Sequence, residues 1–164
     1  MSTSYHQARR RFPRATMRGT VQVNVPGGKR VTGELLTLSH AGCFVTGLPK
    51  LKVGDEYRIY LLITGISNPL LLLAKVLYNL PAMDGHEAGA GFGFTQVAEE
   101  TQPKIDEAIK RSGELYQRLL FALTETTSDE NDLEQLCREA GLPDGLTTAE
   151  LRWRVVQSVS QYRS

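Results

Sequence analysis

The chain has 164 residues, 41% of them hydrophobic and 23% charged, values of an ordinary globular protein that exclude wholesale disorder. That length suits one domain with an appendage and can bury a real core. A formal net charge of +1 argues against a general polyanion-binding surface, and no apolar run approaches the roughly 20 residues of a membrane helix.

Residues 1–19 read as a flexible basic arm. Arg9, Arg10, Arg11, Arg14, Arg18, Lys29 and Arg30 are the only charged side chains before Glu34. Such a one-sided cluster on a near-neutral chain implies a local anion site, unless the arginines are merely solvated. No apolar segment follows them, so a secretory signal is not expected and the cytoplasm is the expected location. Cys43 and Cys137 stand far apart without metal spacing, as two reduced thiols would.

From Thr20 to Val97 the pattern has period two. Val21, Val23 and Val25 alternate with polar partners, Pro26-Gly27-Gly28 turns the chain, and Val31 to Leu38 follows with Gly33 as a candidate bulge. Gly42 to Thr46 is short and apolar. Tyr57, Ile59, Leu61 and Ile63 alternate cleanly, Leu70 to Leu80 is long, and AGAGFGF sets Ala90, Phe92 and Phe94 between glycines. Six strands between Gly/Pro/Asp turns predict a mostly β chain: a small six-stranded antiparallel barrel followed by C-terminal α-helices. AGAGFGF invites a phosphate-loop reading, but a dinucleotide fingerprint needs a long helix straight after the glycines. Here they alternate with aromatics inside a strand, which fits glycines facing a crowded wall.

After Val97 the period becomes helical. Pro103 marks a first turn, and Ile105, Ala108, Ile109, Tyr116, Leu119, Leu120 and Leu123 form a stripe interrupted by Gly113. This stripe packs on the barrel, giving a unit over 20–125, or on a second copy, giving a homodimer. Residues 126–164 form an acidic helical tail. Thr127 with Glu130 and Thr147 with Glu150 have capping-box spacing, and Gly141 and Pro143 end the first tail helix. The tail carries too little apolar surface to stand alone. LEQLCREAGLPDGLTTAEL resembles a SAP-type DNA module only faintly and lacks its lysines, so nucleic acid is not the expected partner.

Two short patterns carry the chemistry. Arg10 and Arg14 make R-x-x-x-R just before the first strand, and Thr37, Ser39 and Gly42 make T-x-S-x-x-G at the end of the second. In an antiparallel sheet the start of one strand and the end of the next share an edge. That edge offers guanidinium forks, a hydroxyl and a glycine that lets backbone come close. Guanidinium pairs with phosphate, reads guanine O6/N7 and stacks on a base. His40, between Ser39 and Gly42, reads as an exposed turn residue.

At these residues the chain resembles the PilZ domain family, bacterial receptors for cyclic di-GMP, over roughly residues 9–125. The resemblance implies that Arg10 and Arg14 grip guanines and phosphates, assisted by Arg9 and Arg11. It also implies that Ser39 bonds phosphate or guanine and that Gly42 shapes the turn. The family's Asp or Asn position is Thr37 here, which offers one hydroxyl where a carboxylate would take two guanine N–H groups. No cofactor beyond the nucleotide ligand is implied. No nucleophile motif or metal-like His spacing occurs, so an enzyme is not expected. The expected function is a cyclic di-GMP receptor that relays ligand level to an unidentified protein partner, with Trp153 as its aromatic anchor if exposed. The alternative is a ligand-independent adaptor on the same scaffold, and a nucleic-acid-binding module ranks third.

Overall fold

Alternation of apolar and polar residues is enough to give a strand one wet and one dry face, and this chain does so repeatedly. The computed structural model describes residues 12–83, 87–124 and 130–163. Its strands are β1 (Ala15–Thr16), β2 (Gly19–Val25), β3 (Lys29–Ser39), β4 (Gly42–Thr46), β5 (Glu56–Ile63), β6 (Leu70–Leu80) and β7 (Gly89–Val97). All pairings are antiparallel, in the order β1-β3-β2-β5-β6-β7-β4, and β4 also pairs with β3. Strands β2 to β7 therefore close into the expected six-stranded barrel. The two-residue β1 lies outside it, against β3, within the segment that read as an arm from sequence.

Inside the barrel Val21, Val23, Leu38, Val45, Ile59 and Leu61 are fully buried. On β5 the four apolar positions Tyr57, Ile59, Leu61 and Ile63 all point inward, as their alternation predicts. Gly33 is not a bulge. It pairs in register with Val21, and the register shift between β3 and β4 falls instead between Leu35 and Thr37. At Gly33 a Cβ would lie 2.6 Å from the Thr46 carbonyl oxygen, so the missing side chain serves close strand packing.

Helix α1 (Gln102–Thr124) carries Pro103 in its first turn, where a missing N–H costs nothing. Its N-terminal half buries Ile105 and Ile109 in the barrel core. Its C-terminal half belongs to a second cluster, in which Tyr116 and Leu119 meet Leu136, Val155 and Val159 of two further helices, α2 (Glu130–Glu139) and α3 (Thr148–Arg163). Gly113, the interruption in the stripe, is a notch whose missing side chain is replaced by the Tyr162 ring.

The tail helices are capped by local sequence. Gly141 has φ 70°, its N–H donates to the Arg138 carbonyl, and the Leu142 N–H donates to the Cys137 carbonyl. This is a Schellman end. Ahead of α3, the Thr147 N–H donates to Glu150 Oε2 and the Glu150 N–H donates to Thr147 Oγ1, each at 3.1 Å, the reciprocal capping box. Thr127, of the other predicted box, lies outside the described residues. The helices reach the barrel through β1: Thr16 Oγ1 donates to Ser158 Oγ at 2.8 Å, and Ser112 Oγ donates to the Thr16 carbonyl.

Leu119 is fully enclosed where the three helices meet. Leu119→Ala should destabilise the protein by about 2–5 kcal/mol through lost transfer energy and a residual cavity. Trp153→Ala, on the exposed side of α3, should shift stability by less than about 0.5 kcal/mol. Thermal unfolding followed by circular dichroism checks both. Equal midpoints in the two variants would mean that the helices do not share a core.

Candidate functional site

The edge where β3 ends and β4 begins is built from three directions. Thr37 sits between two strands at once, opposite Thr16 of β1 and Phe44 of β4. Because Ala15 pairs with Leu38, Arg14 enters the sheet beside the Thr37–Ser39 segment. Arg14, Thr37, Ser39 and Gly42 then line one cavity of ≈ 170 Å³, completed by Phe44, Leu77, Tyr78 and Gly91. Two motifs more than twenty positions apart are thus brought together by strand pairing alone. Arg9, Arg10 and Arg11 lie outside the described residues.

Ser39 Oγ donates to the Gly42 carbonyl at 3.3 Å, a long bond that leaves the hydroxyl able to serve a ligand. A Cβ on Gly42 would lie 2.3 Å from the Phe92 carbonyl oxygen of β7, so only glycine permits β4 and β7 to approach this closely. The strand AGAGFGF supplies seats for large neighbours. A Cβ on Gly89 would meet the Phe44 ring at 2.4 Å, and one on Gly91 the Tyr78 ring at 2.3 Å. Phe44 and Tyr78 stack at 6.3 Å between centroids and form an aromatic wall of the cavity. Sequence reasoning did not select these two residues. The available signal was the glycine row, whose paired strands had to supply bulky side chains.

His40 is only partly exposed. Its Nδ1 lies 2.7 Å from Asp106 Oδ1 and donates to it. The Gln102 amide donates to the same carboxylate oxygen at 3.1 Å and to the His40 carbonyl at 3.2 Å. The Phe12 ring stacks on the imidazole, with centroids 4.6 Å apart and planes tilted by 34°. The turn is thereby joined to the first two turns of α1 and to the segment that leads into Arg14.

Among the described residues, Arg30 and Arg18 of the N-terminal cluster stand away from this edge. Arg30 stacks over Tyr60 at 4.5 Å and donates to Asn24 Oδ1 and Gln22 Oε1. It stands nine residues from Ser39 along β3, about 30 Å at 3.3 Å per residue. The Arg18 side chain lies against Gly141 of the tail. Burial pushes the Cys43 thiol up to about 12, so it stays protonated and unreactive at neutral pH. Among the described residues, no three His, Cys, Asp or Glu side chains gather to hold a metal.

The PilZ domain family model matches residues 8–111. No curated protein matches the chain. Among solved structures, the Bacillus subtilis inhibitor of motility (MotI/DgrA) superposes with a TM-score of 0.54 and 17% identity, over 63% of this chain and 51% of that one. The PilZ domain of YcgR from Escherichia coli, solved with c-di-GMP, gives 0.52 and 13% over 67% of this chain and 95% of its own. The MrkH–c-di-GMP complex of K. pneumonia gives 0.59 and 16% over 67% and 55%. At these identities the likeness establishes the fold, and the chain spans about half the length of the first and third of these proteins.

Gly42 and Ser39 separate two roles of the turn. Gly42→Ala should destabilise the ligand-free protein by about 1–3 kcal/mol, because the Phe92 carbonyl cannot yield without moving β7. Ser39→Ala should cost only about 0.5–1.5 kcal/mol, the value of one ordinary hydrogen bond. Denaturant titration decides it, and a harmless Gly42→Ala would show that the β4–β7 approach is not a constraint on the fold.

Proposed function

Because the chain belongs to the PilZ domain family, we propose that the arm and the Ser39–Gly42 turn bind cyclic di-GMP, and that the protein relays ligand level to a protein partner. The observation that carries this reading is the meeting of Arg14, Thr37, Ser39 and Gly42 at one cavity. YcgR and MrkH, whose folds resemble this one, were solved with c-di-GMP. A guanidinium at Arg14 can bond phosphate through two N–H groups or lie on a guanine face. Ser39 Oγ and Thr37 Oγ1 add hydroxyls at the same edge. The cavity is below the roughly 300 Å³ of a pocket that encloses a small molecule. It seats part of the nucleotide, and Arg9, Arg10 and Arg11 supply the cover.

The relay would act through the helices. Trp153 is 61% exposed on α3 and Phe121 65% exposed on α1, side chains of the kind that anchor protein interfaces. Two free thiols suit a reducing cytoplasm as the place of action. The adaptor alternative, with no nucleotide, draws support from Thr37, since a hydroxyl offers one oxygen where a carboxylate offers two, one for each of guanine N1–H and N2–H.

Calorimetric titration with cyclic di-GMP tests the proposal. Arg14→Ala should remove charge-assisted bonds on the order of 1.5–3 kcal/mol and so weaken binding roughly 10- to 100-fold. Unchanged affinity in this variant, or no binding by the parent protein, would sink the receptor reading. Thr37→Asp should tighten binding, because a carboxylate accepts both guanine N–H groups. An ion pair to Arg14 in the free protein opposes this by only about 0–1 kcal/mol if exposed. Weaker binding by the aspartate variant would show that Thr37 does not face a guanine edge.

A further inference from the structure

Arg14 is fixed from behind by the Ala15–Leu38 pairing, but the residues before it need a second anchor if they are to lie over the turn. Phe12 provides one. Its ring stacks on His40 at 4.6 Å, and His40 belongs to the same four-residue turn as Ser39 and Gly42. The imidazole cannot swing away freely, because Nδ1 donates to Asp106. Asp106 is itself held by the Gln102 amide, which also bonds the His40 carbonyl. Asp106 and Gln102 are on α1, whose Ile105 is fully buried in the barrel core, so the chain of contacts ends on a rigid element.

We propose that Phe12, His40, Asp106 and Gln102 form an anchor that holds the segment from Phe12 to Arg14 against the turn before ligand arrives. His40 and Phe12 are then positioning residues for the nucleotide site. This rests on the cyclic di-GMP reading for its effect on affinity, but the docking itself does not. A tethered Phe12–Arg14 segment has fewer arrangements to lose on binding, so part of the ordering cost is met in the free protein. An aromatic pair of this kind is expected to change affinity by about two- to tenfold.

The test compares the parent chain with Phe12→Ala, His40→Ala, the double variant and His40→Phe. Calorimetric titration with cyclic di-GMP should show the two alanine variants weakened two- to tenfold and by similar factors. The double variant should be no weaker than either, since both remove the same contact. His40→Phe, which keeps a ring for Phe12 but loses the tie to Asp106, should recover only part of the affinity. Melting midpoints should fall by no more than about 4 °C, since His40 and Asp106 are both half-exposed. Parent-like affinity in both alanine variants, or losses that multiply in the double variant, would overturn the anchor. If the parent protein binds no cyclic di-GMP, the nucleotide reading fails and the anchor is still decided by trypsin. Cleavage after Arg14 in the ligand-free protein should be faster in His40→Ala and Phe12→Ala, and equal rates would overturn it.

Discussion

Strand β4 is five residues long, yet it pairs with β3 on one side and β7 on the other, and without it the sheet would have two open edges. Closing so short a strand into the gap demands close backbone approach at its first residue, and that residue is Gly42. The same closure fixes where β3 must stop and turn, and so where Ser39 and His40 stand. The edge proposed to take the nucleotide is therefore not an addition to the barrel. It is the seam at which the barrel shuts, and its glycine answers to the fold before it answers to a ligand.

The barrel was legible in the sequence because period-two alternation is a property of each strand alone. Tyr57 to Ile63 needs no partner to announce which side chains point inward. What stayed hidden depends on pairing. The two residues of β1 have no periodicity to read, and their role exists only opposite Thr37 and Leu38. Leu36, at the register shift, looks like any strand leucine, whereas Gly33 advertises a bulge that does not occur. Phe44 and Tyr78 become neighbours only when β4 and β6 flank the glycines of β7. Among the candidate residues, strand order alone placed Thr37, Ser39 and Gly42. Arg14 needed β1, and His40 needed a helix sixty positions away.

The helices show the same division between local and distant signals. The Thr147–Glu150 box and the Gly141 terminus were written in short patterns and appear with the expected bonds. The stripe on α1 was legible too, and so was the barrel as one of its clients, but its second client was not. One half of it plugs the barrel, and the other half roofs a small core with α2 and α3. Charge behaves likewise. Seven cations crowd the sequence before Glu34, yet Arg30 is held on Tyr60 at the opposite end of β3 from the turn. For Arg30, closeness in sequence is not closeness on the surface.

The bond between Thr16 and Ser158 joins residues 142 positions apart. A ribosome working at about 5–20 residues per second needs roughly 7–28 s to travel from one to the other. The barrel strands are complete well before that interval ends, and α3 emerges last of the described elements. During synthesis the outer side of β1 therefore faces water, or whatever attends the nascent chain, while β2 to β7 are already free to close. Of the described elements, the strand that leads out of Arg14 is the first made and among the last to be covered.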